Sequence, residues 1–296
     1  MANARQNQSE GDQMITQIRR LSFALGAEII GIDIRKPLDD KSFSEVHAAF
    51  LEYGVLLFRG QPLTREQHIA LTRRFGEVEK NDTKYKPDSE HLGPAHADPE
   101  RKYPDIVVNN PHPNIKRSDY EGNFWHTDGM TGCSPPMASL LRGIEVPEVG
   151  GDTMFANMYL AYQTLSDTMK KLIEGLYGIR PGTTRLKYKQ PTPSIAHPLV
   201  RVHPETSRKS LYLSEKVSRI DGMTVEESEP LIQFLCNHAV RPQFVYRHRW
   251  RKDDLLIWDN RCLLHNAVGD YDSAQTRHME RTRVLGTPSG AYISGE

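Results

Sequence analysis

Apolar positions along the chain follow two periods. Residues 41–53 carry Phe43, Val46, Phe50 and Leu51 at helical spacing, and Gly54 closes this helix. The continuous apolar run Val55-Leu56-Leu57-Phe58 then reads as a buried strand. Thr64-Arg65-Glu66-Gln67 has capping-box spacing and opens a helix to Arg74, with Gly76 just beyond. His68 inside it reads as an ordinary helix residue. A second capping box, Thr224-Val225-Glu226-Glu227, opens a helix to about His238. Pro230 fits that helix only near its first turn, where the missing N–H costs little. Residues 157–176 predict one or two short helices, with Ser166 or Asp167 as a cap for 169–176.

Elsewhere the period is two. Residues 27–34, 104–109 and 137–142 read as strands, the last turned back by Gly150-Gly151-Asp152-Thr153. Strands return at 197–203 and 210–214, and 243–249, 254–259 and 281–286 alternate as half-buried strands do. Six prolines break the stretch 79–123, at 87, 94, 99, 104, 111 and 113. Loops of that length in a compact fold usually serve function, and this one leads directly into the stretch that carries the chemistry below, so it reads as a lid. Residues 180–194, with three prolines and several cations, read as a second mobile loop. The pattern as a whole is mainly β with flanking helices, and it holds no internal repeat.

At 296 residues the chain is long enough for one large domain. We expect a mobile polar tail over 1–17 and a single domain over 18–296. Lys+Arg and Asp+Glu each number 38, so no global field points to nucleic acid or to an anionic membrane. Cys133, Cys236 and Cys262 are an odd, widely spaced set without a CxxC, which argues against both a disulfide framework and a thiolate metal site. A reducing, cytoplasmic setting is expected. The first 13 residues lack an apolar leader core, and no run approaches the length of a membrane span.

The chemistry centres on Asn123-Phe124-Trp125-His126-Thr127-Asp128-Gly129. In an extended strand His126 and Asp128 project to the same side, placing an imidazole nitrogen beside a carboxylate oxygen. The best third ligand is His265, at the end of the strand-like run 255–265. Two His and one carboxylate on one face of an ion suit the non-haem Fe(II) oxygenases. A His-x-Asp alone arises by chance in many chains. Here Thr153 follows in a glycine turn, and Arg277 and Arg281 follow His265. A buried guanidinium needs an anion and suits a carboxylate held by both its forks. A 2-oxo acid with a distal carboxylate, 2-oxoglutarate, meets both requirements. Each arginine taken singly reads equally well as a salt-bridged surface residue. A Zn-dependent hydrolase is allowed by ligand type but leaves Thr153 and the two arginines unexplained. A sensor that kept only the fold would normally lose a ligand.

Several motifs in order carry a resemblance over residues 20–286: Leu25-Gly26-Ala27-Glu28-Ile29, Arg74-Phe75-Gly76, Trp125-His126-Thr127-Asp128, Gly150-Gly151-Asp152-Thr153, His203-Pro204, Trp258-Asp259-Asn260-Arg261 with His265, and Arg277-His278-Met279-Glu280-Arg281. With these the chain resembles the taurine dioxygenase and 2,4-dichlorophenoxyacetate dioxygenase (TauD/TfdA) family of Fe(II)- and 2-oxoglutarate-dependent oxygenases. The resemblance implies a double-stranded β-helix, a cupin-like jelly roll. It implies His126, Asp128 and His265 as iron ligands, Thr153 and Arg277 on the distal carboxylate of 2-oxoglutarate, and Arg281 on an anionic substrate. It also implies O2 as oxidant, release of succinate and CO2, a small-molecule substrate, and a dimer or tetramer. Hydroxylation of a sulfonate, sulfate ester or aryloxyalkanoate is the expected reaction. The alternative is another oxidative outcome at the same iron, such as the isonitrile formation that some relatives perform.

Three departures bear on the substrate. Where taurine dioxygenase has an Asn four positions before its first ligand His, this chain has Gly122, with Asn123 beside it. The substrate-contacting His of the preceding loop has two candidates here, His91 and His96. One extra residue separates His265 from Arg277. Taurine itself is therefore not the expected substrate.

Overall fold

The computed structural model describes residues 14–80, 95–97, 102–109, 122–182, 193–272 and 274–293. Both capping boxes form. Thr64 and Gln67 exchange side-chain and backbone bonds at the start of α2 (Arg65–Phe75), as Thr224 and Glu227 do at the start of α5 (Val225–Ala239). α1 (Asp40–Tyr53) is capped by Asp39 and ends on Gly54 at φ 70°, a left-handed turn that glycine adopts without strain. Two short helices, α3 (Met158–Gln163) and α4 (Asp167–Ile173), occupy the predicted region, and Ser166, not Asp167, caps the second.

α5 corrects one expectation. Pro230 lies in its second turn, yet the helix runs on past it to Ala239, 15 residues in all. The proline is on the exposed face, where the carbonyl left without a donor meets water. Thr224→Ala removes one side of the capping box and is expected to cost about 1 kcal/mol, read as a lower urea midpoint with unchanged slope.

The strands β1 (Gln17–Arg20), β2 (Ala27–Ile30), β3 (Val55–Phe58), β14 (Leu255–Asp259), β6 (Ala138–Glu145), β16 (His278–Val284), β5 (Val107–Asn109) and β4 (Ala95–Ala97) form one sheet in that order. All pairs are antiparallel except β2 with β3. A smaller sheet is ordered β13 (Val245–His248), β7 (Thr153–Asn157), β15 (Leu263–Ala267). A third joins β12 (Arg219–Ile220), β8 (Tyr177–Arg180), β9 (Ile195–Pro198) and β17 (Ala291–Tyr292), and β10 (Val200–Val202) pairs with β11 (Lys209–Leu211).

Alternation along β14 shows how the layers stack. Leu255 and Ile257 meet Val46, Phe50 and Leu71 of α1 and α2, whereas Leu256 and Trp258 meet Phe155 and Leu263 of the smaller sheet. On the far side of that sheet Ala156 and Leu264 pack with Ala161 of α3 and Ile232 and Leu235 of α5. β14 is therefore buried on both faces and not half-buried as its alternation suggests, because it is a central strand covered by helices on one side and a sheet on the other.

Six strands were not anticipated: β1, β4, β7, β8, β12 and β17. β7 begins inside the glycine turn at Thr153, and β4 forms from the proline-rich stretch. Most of the lid expected over 79–123, including His91, lies outside the described residues, as do 183–192 of the second loop and the tail to residue 13.

Candidate active site

His126 is not in a strand. It forms a single antiparallel bridge with His265, through His126 N–H to His265 O at 3.0 Å and His265 N–H to His126 O at 2.7 Å. The chain then turns at Asp128–Gly129, with Gly129 at φ 71°. A Cβ on Gly129 would lie 2.3 Å from Pro136 Cδ, so the turn closes only on glycine. Bridge and turn, rather than a strand's pleat, bring His126 and Asp128 together. The run 255–265 is likewise two strands: β14 ends at Asp259, the chain turns, and β15 carries His265 in the other sheet.

One ligand atom from each of His126, Asp128 and His265 lies within 4.8 Å of the others. His265 Nε2 is 3.9 Å from Asp128 Oδ1, and the two imidazole centroids are 4.2 Å apart. His126 Nδ1 is 2.7 Å from Phe124 O. That contact requires the proton on Nδ1 and leaves the Nε2 lone pair to a metal. Burial pushes both imidazoles below their ordinary range, His265 to about 3, where the neighbouring His126 adds to the effect. Both are therefore neutral, as ligands must be. Burial alone would raise the Asp128 carboxyl, but the Arg281 guanidinium, with Arg283 behind it, overrides this and holds the group well below the usual carboxylate range. Arg281 Nη1 lies 3.0 Å from Oδ1 and 3.2 Å from Oδ2. Two neutral imidazoles and an ionised carboxylate fit a divalent cation.

Thr153 opens β7, and its Oγ1 accepts from Trp250 Nε1 at 2.9 Å. Arg277, buried, donates through Nε to Gly151 O at 2.9 Å, two residues before Thr153. A Cβ on Gly151, at φ 68°, would lie 3.2 Å from Arg277 Cδ, so the glycine turn is what lets the arginine lie against it. Asn123 is exposed, three residues before His126. His96 occupies β4 opposite Val108, at the edge of the large sheet, and its side chain lies outside the described residues.

Two residues escaped the sequence reading. Arg283 shares a face of β16 with Arg281, and its Nε is 2.6 Å from Glu79. The two-residue spacing was the available signal. Ser139, inside the apolar start of β6, donates to Asp128 Oδ2 at 2.6 Å. A second cluster, His203, Asp259 and Cys262, also gathers potential ligand atoms. There His203 Nδ1 accepts from Glu205 N at 3.2 Å and Thr206 N at 3.1 Å, so Nε2 carries the proton and donates to Asp259 Oδ2. Arg261 binds both Asp259 oxygens, and burial pushes the Cys262 thiol up. This group fastens the turn between β14 and β15: the His203 lone pair is taken by backbone N–H groups, the Asp259 charge is paired with Arg261, and the thiol stays protonated.

The family model described as taurine catabolism dioxygenase TauD, TfdA family matches residues 17–283. The (S)-phenoxypropionate/alpha-ketoglutarate-dioxygenase of Sphingobium herbicidovorans is 32% identical over 289 residues, 92% of this chain and 96% of that protein. The alpha-ketoglutarate-dependent 2,4-dichlorophenoxyacetate dioxygenase of Cupriavidus pinatubonensis is 34% identical over 274 residues, 89% of this chain and 94% of that protein. The crystal structure of AAD-2 in complex with Mn(II) and N-oxalylglycine superposes with a TM-score of 0.78 at 32% identity, covering 93% of this chain and 99% of that one.

Proposed function

Because the chain belongs to the TauD/TfdA dioxygenase family, we propose that His126, Asp128 and His265 hold the Fe(II) of a dioxygenase that hydroxylates a small anionic substrate of sulfonate, sulfate ester or aryloxyalkanoate type. It is an Fe(II)- and 2-oxoglutarate-dependent enzyme that uses O2. The observation that carries the ligand assignment is the meeting of three donor atoms, from two segments far apart in the chain, within 4.8 Å and in their metal-binding protonation states. When bound, iron and 2-oxoglutarate supply oxidative decarboxylation, with succinate and CO2 as products.

The chain's own residues divide the remaining work. Thr153 and Arg277 hold the distal carboxylate of 2-oxoglutarate, the guanidinium steadied by Gly151 O and the hydroxyl by Trp250. Arg281 orients the substrate anion by charge-assisted hydrogen bonds, fixing which C–H faces the metal. Its bonds to Asp128 run through Nη1, which leaves the other arm of the fork to point at substrate. Asn123, His96 and His91 are further substrate contacts. The large sheet and the β13-β7-β15 sheet form the two walls of a double-stranded β-helix, a single domain over 18–296 whose lid spans 79–123. The chain's even balance of charge supports a small-molecule substrate over nucleic acid or a membrane surface. Among the described residues no helix is long and apolar enough to cross a membrane, and we place the enzyme in the cytoplasm as a dimer or tetramer.

Anaerobic titration with Fe(II) and 2-oxoglutarate tests the cosubstrate reading through the visible charge-transfer band of the chelate, which should need both components and vanish in His126→Ala. Absence of the band in a folded, metal-binding protein would return zinc chemistry to the front. O2-uptake screening of the three substrate classes then identifies the substrate. Arg281→Ala should raise its KM by about 10- to 100-fold, the worth of a charge-assisted hydrogen bond, while Fe(II) and 2-oxoglutarate affinities change little. An equal loss of cosubstrate binding would defeat that division of roles.

A further inference from the structure

We infer that Trp258, Asn260 and Ser139 form a one-way hydrogen-bond relay that turns the Asp128 carboxylate, so that Oδ1 alone is presented to the metal. The inference rests on reading His126, Asp128 and His265 as the iron ligands. Its direction follows from donor chemistry. An indole N–H can only donate, and Trp258 Nε1 lies 2.9 Å from Asn260 Oδ1. This fixes the Asn260 amide with its oxygen toward Trp258. The Asp128 N–H, 3.5 Å away, approaches the same oxygen as a donor. Asn260 Nδ2 must then donate to Ser139 Oγ, 2.9 Å away. With that oxygen receiving a proton from the amide, the Ser139 hydroxyl spends its own on Asp128 Oδ2, at 2.6 Å.

The relay stands on rigid parts. Ser139 and Trp258 are register partners on β6 and β14, in the middle of the large sheet. Trp258, Asn260, Ser139 and Asp128 are 1%, 0%, 0% and 6% exposed, so water does not scramble the order of donors. Asn260 also fixes the backbone beside the ligand, its carbonyl accepting from Thr127 Oγ1 at 2.7 Å. Arg281 Nη1 reaches both Asp128 oxygens, at 3.0 and 3.2 Å, and so does not choose between them, whereas Ser139 binds Oδ2 alone and leaves Oδ1 as the oxygen that faces His265 Nε2. A carboxylate so held ligates through one oxygen. Released from Ser139, the carboxylate could rotate and offer both of its oxygens to the ion. These three are positioning residues: they act on the metal only through Asp128.

The test uses Co(II) as a spectroscopic probe without turnover, in the full-length protein. Ser139→Ala deletes the last donor. It should weaken Co(II) affinity by about 10- to 100-fold, the usual cost of removing an outer-shell partner, and change the d–d band shape and intensity. The melting temperature of the metal-free protein should stay close to that of the parent. Ser139→Thr keeps the hydroxyl and should restore affinity and band. Trp258→Phe keeps the ring, frees the Asn260 amide, and should shift the band in the same direction by less. An unchanged Co(II) affinity and spectrum in Ser139→Ala overturns the relay, as does a loss that tracks only a fall in melting temperature. If instead the parent protein's Co(II) binding is insensitive to Asp128→Ala, the ligand assignment itself fails.

Discussion

His265→Ala should abolish Fe(II) binding and bring turnover down to the uncatalysed level, while leaving a folded protein. Its imidazole is buried and neutral, and it faces Asp128 from β15, so no other described side chain can take its place. Removing it leaves one imidazole and one carboxylate, and Arg281 is already bonded to that carboxylate. Without the ion's competing charge, this pair becomes the resting state of the site. Isothermal titration with Fe(II) under argon and circular dichroism of the metal-free variant measure the two halves of the expectation. Retained stoichiometric iron binding would remove His265 from the ligand set.

The second large effect concerns the cosubstrate. Arg277→Ala should raise the KM for 2-oxoglutarate by a factor of about 10² to 10³, because breaking a buried ion pair costs about 3–5 kcal/mol. Arg277 is 6% exposed and lies against the glycine turn before Thr153. Arg277→Lys should recover only part of the loss, since a point charge does not reproduce a planar fork. The extra residue between His265 and Arg277 makes the alternative outcome informative. If Arg277→Ala leaves the 2-oxoglutarate KM unchanged and raises that of the substrate, Arg277 and Arg281 exchange roles.

Elements governed by local chemistry were legible in the sequence. Both capping boxes, the Gly54 stop and the β3 run depend on residues within a few positions of one another, and they form as read. His126, Asp128 and His265 could be named as a set because few residue types ligate iron and their motifs recur in order. What the sequence concealed was tertiary. A His126 held by one bridge and an Asp128 delivered by a turn look, in sequence, like a strand. β14 and β15 read as one run because only the Asn260-Arg261-Cys262 turn separates them, and nothing local shows that they enter different sheets. Ser139 is one small polar residue in an apolar strand, and its role depends on register with Trp258, 119 positions away in the chain.

That the donor atoms arrive from two distant segments of the chain has a thermodynamic consequence. In the unfolded chain His126 and His265 are separated by 139 positions, so no comparable chelate exists there for the ion. Binding therefore acts on the folded side of the equilibrium alone and adds RT ln(1 + [M]/Kd), about 2.7 kcal/mol at a hundredfold excess over Kd. The ion is thus a clasp between these segments, and the enzyme's heat resistance becomes a function of free iron concentration. The metal-free protein should melt lower by an amount that a chelator series can titrate.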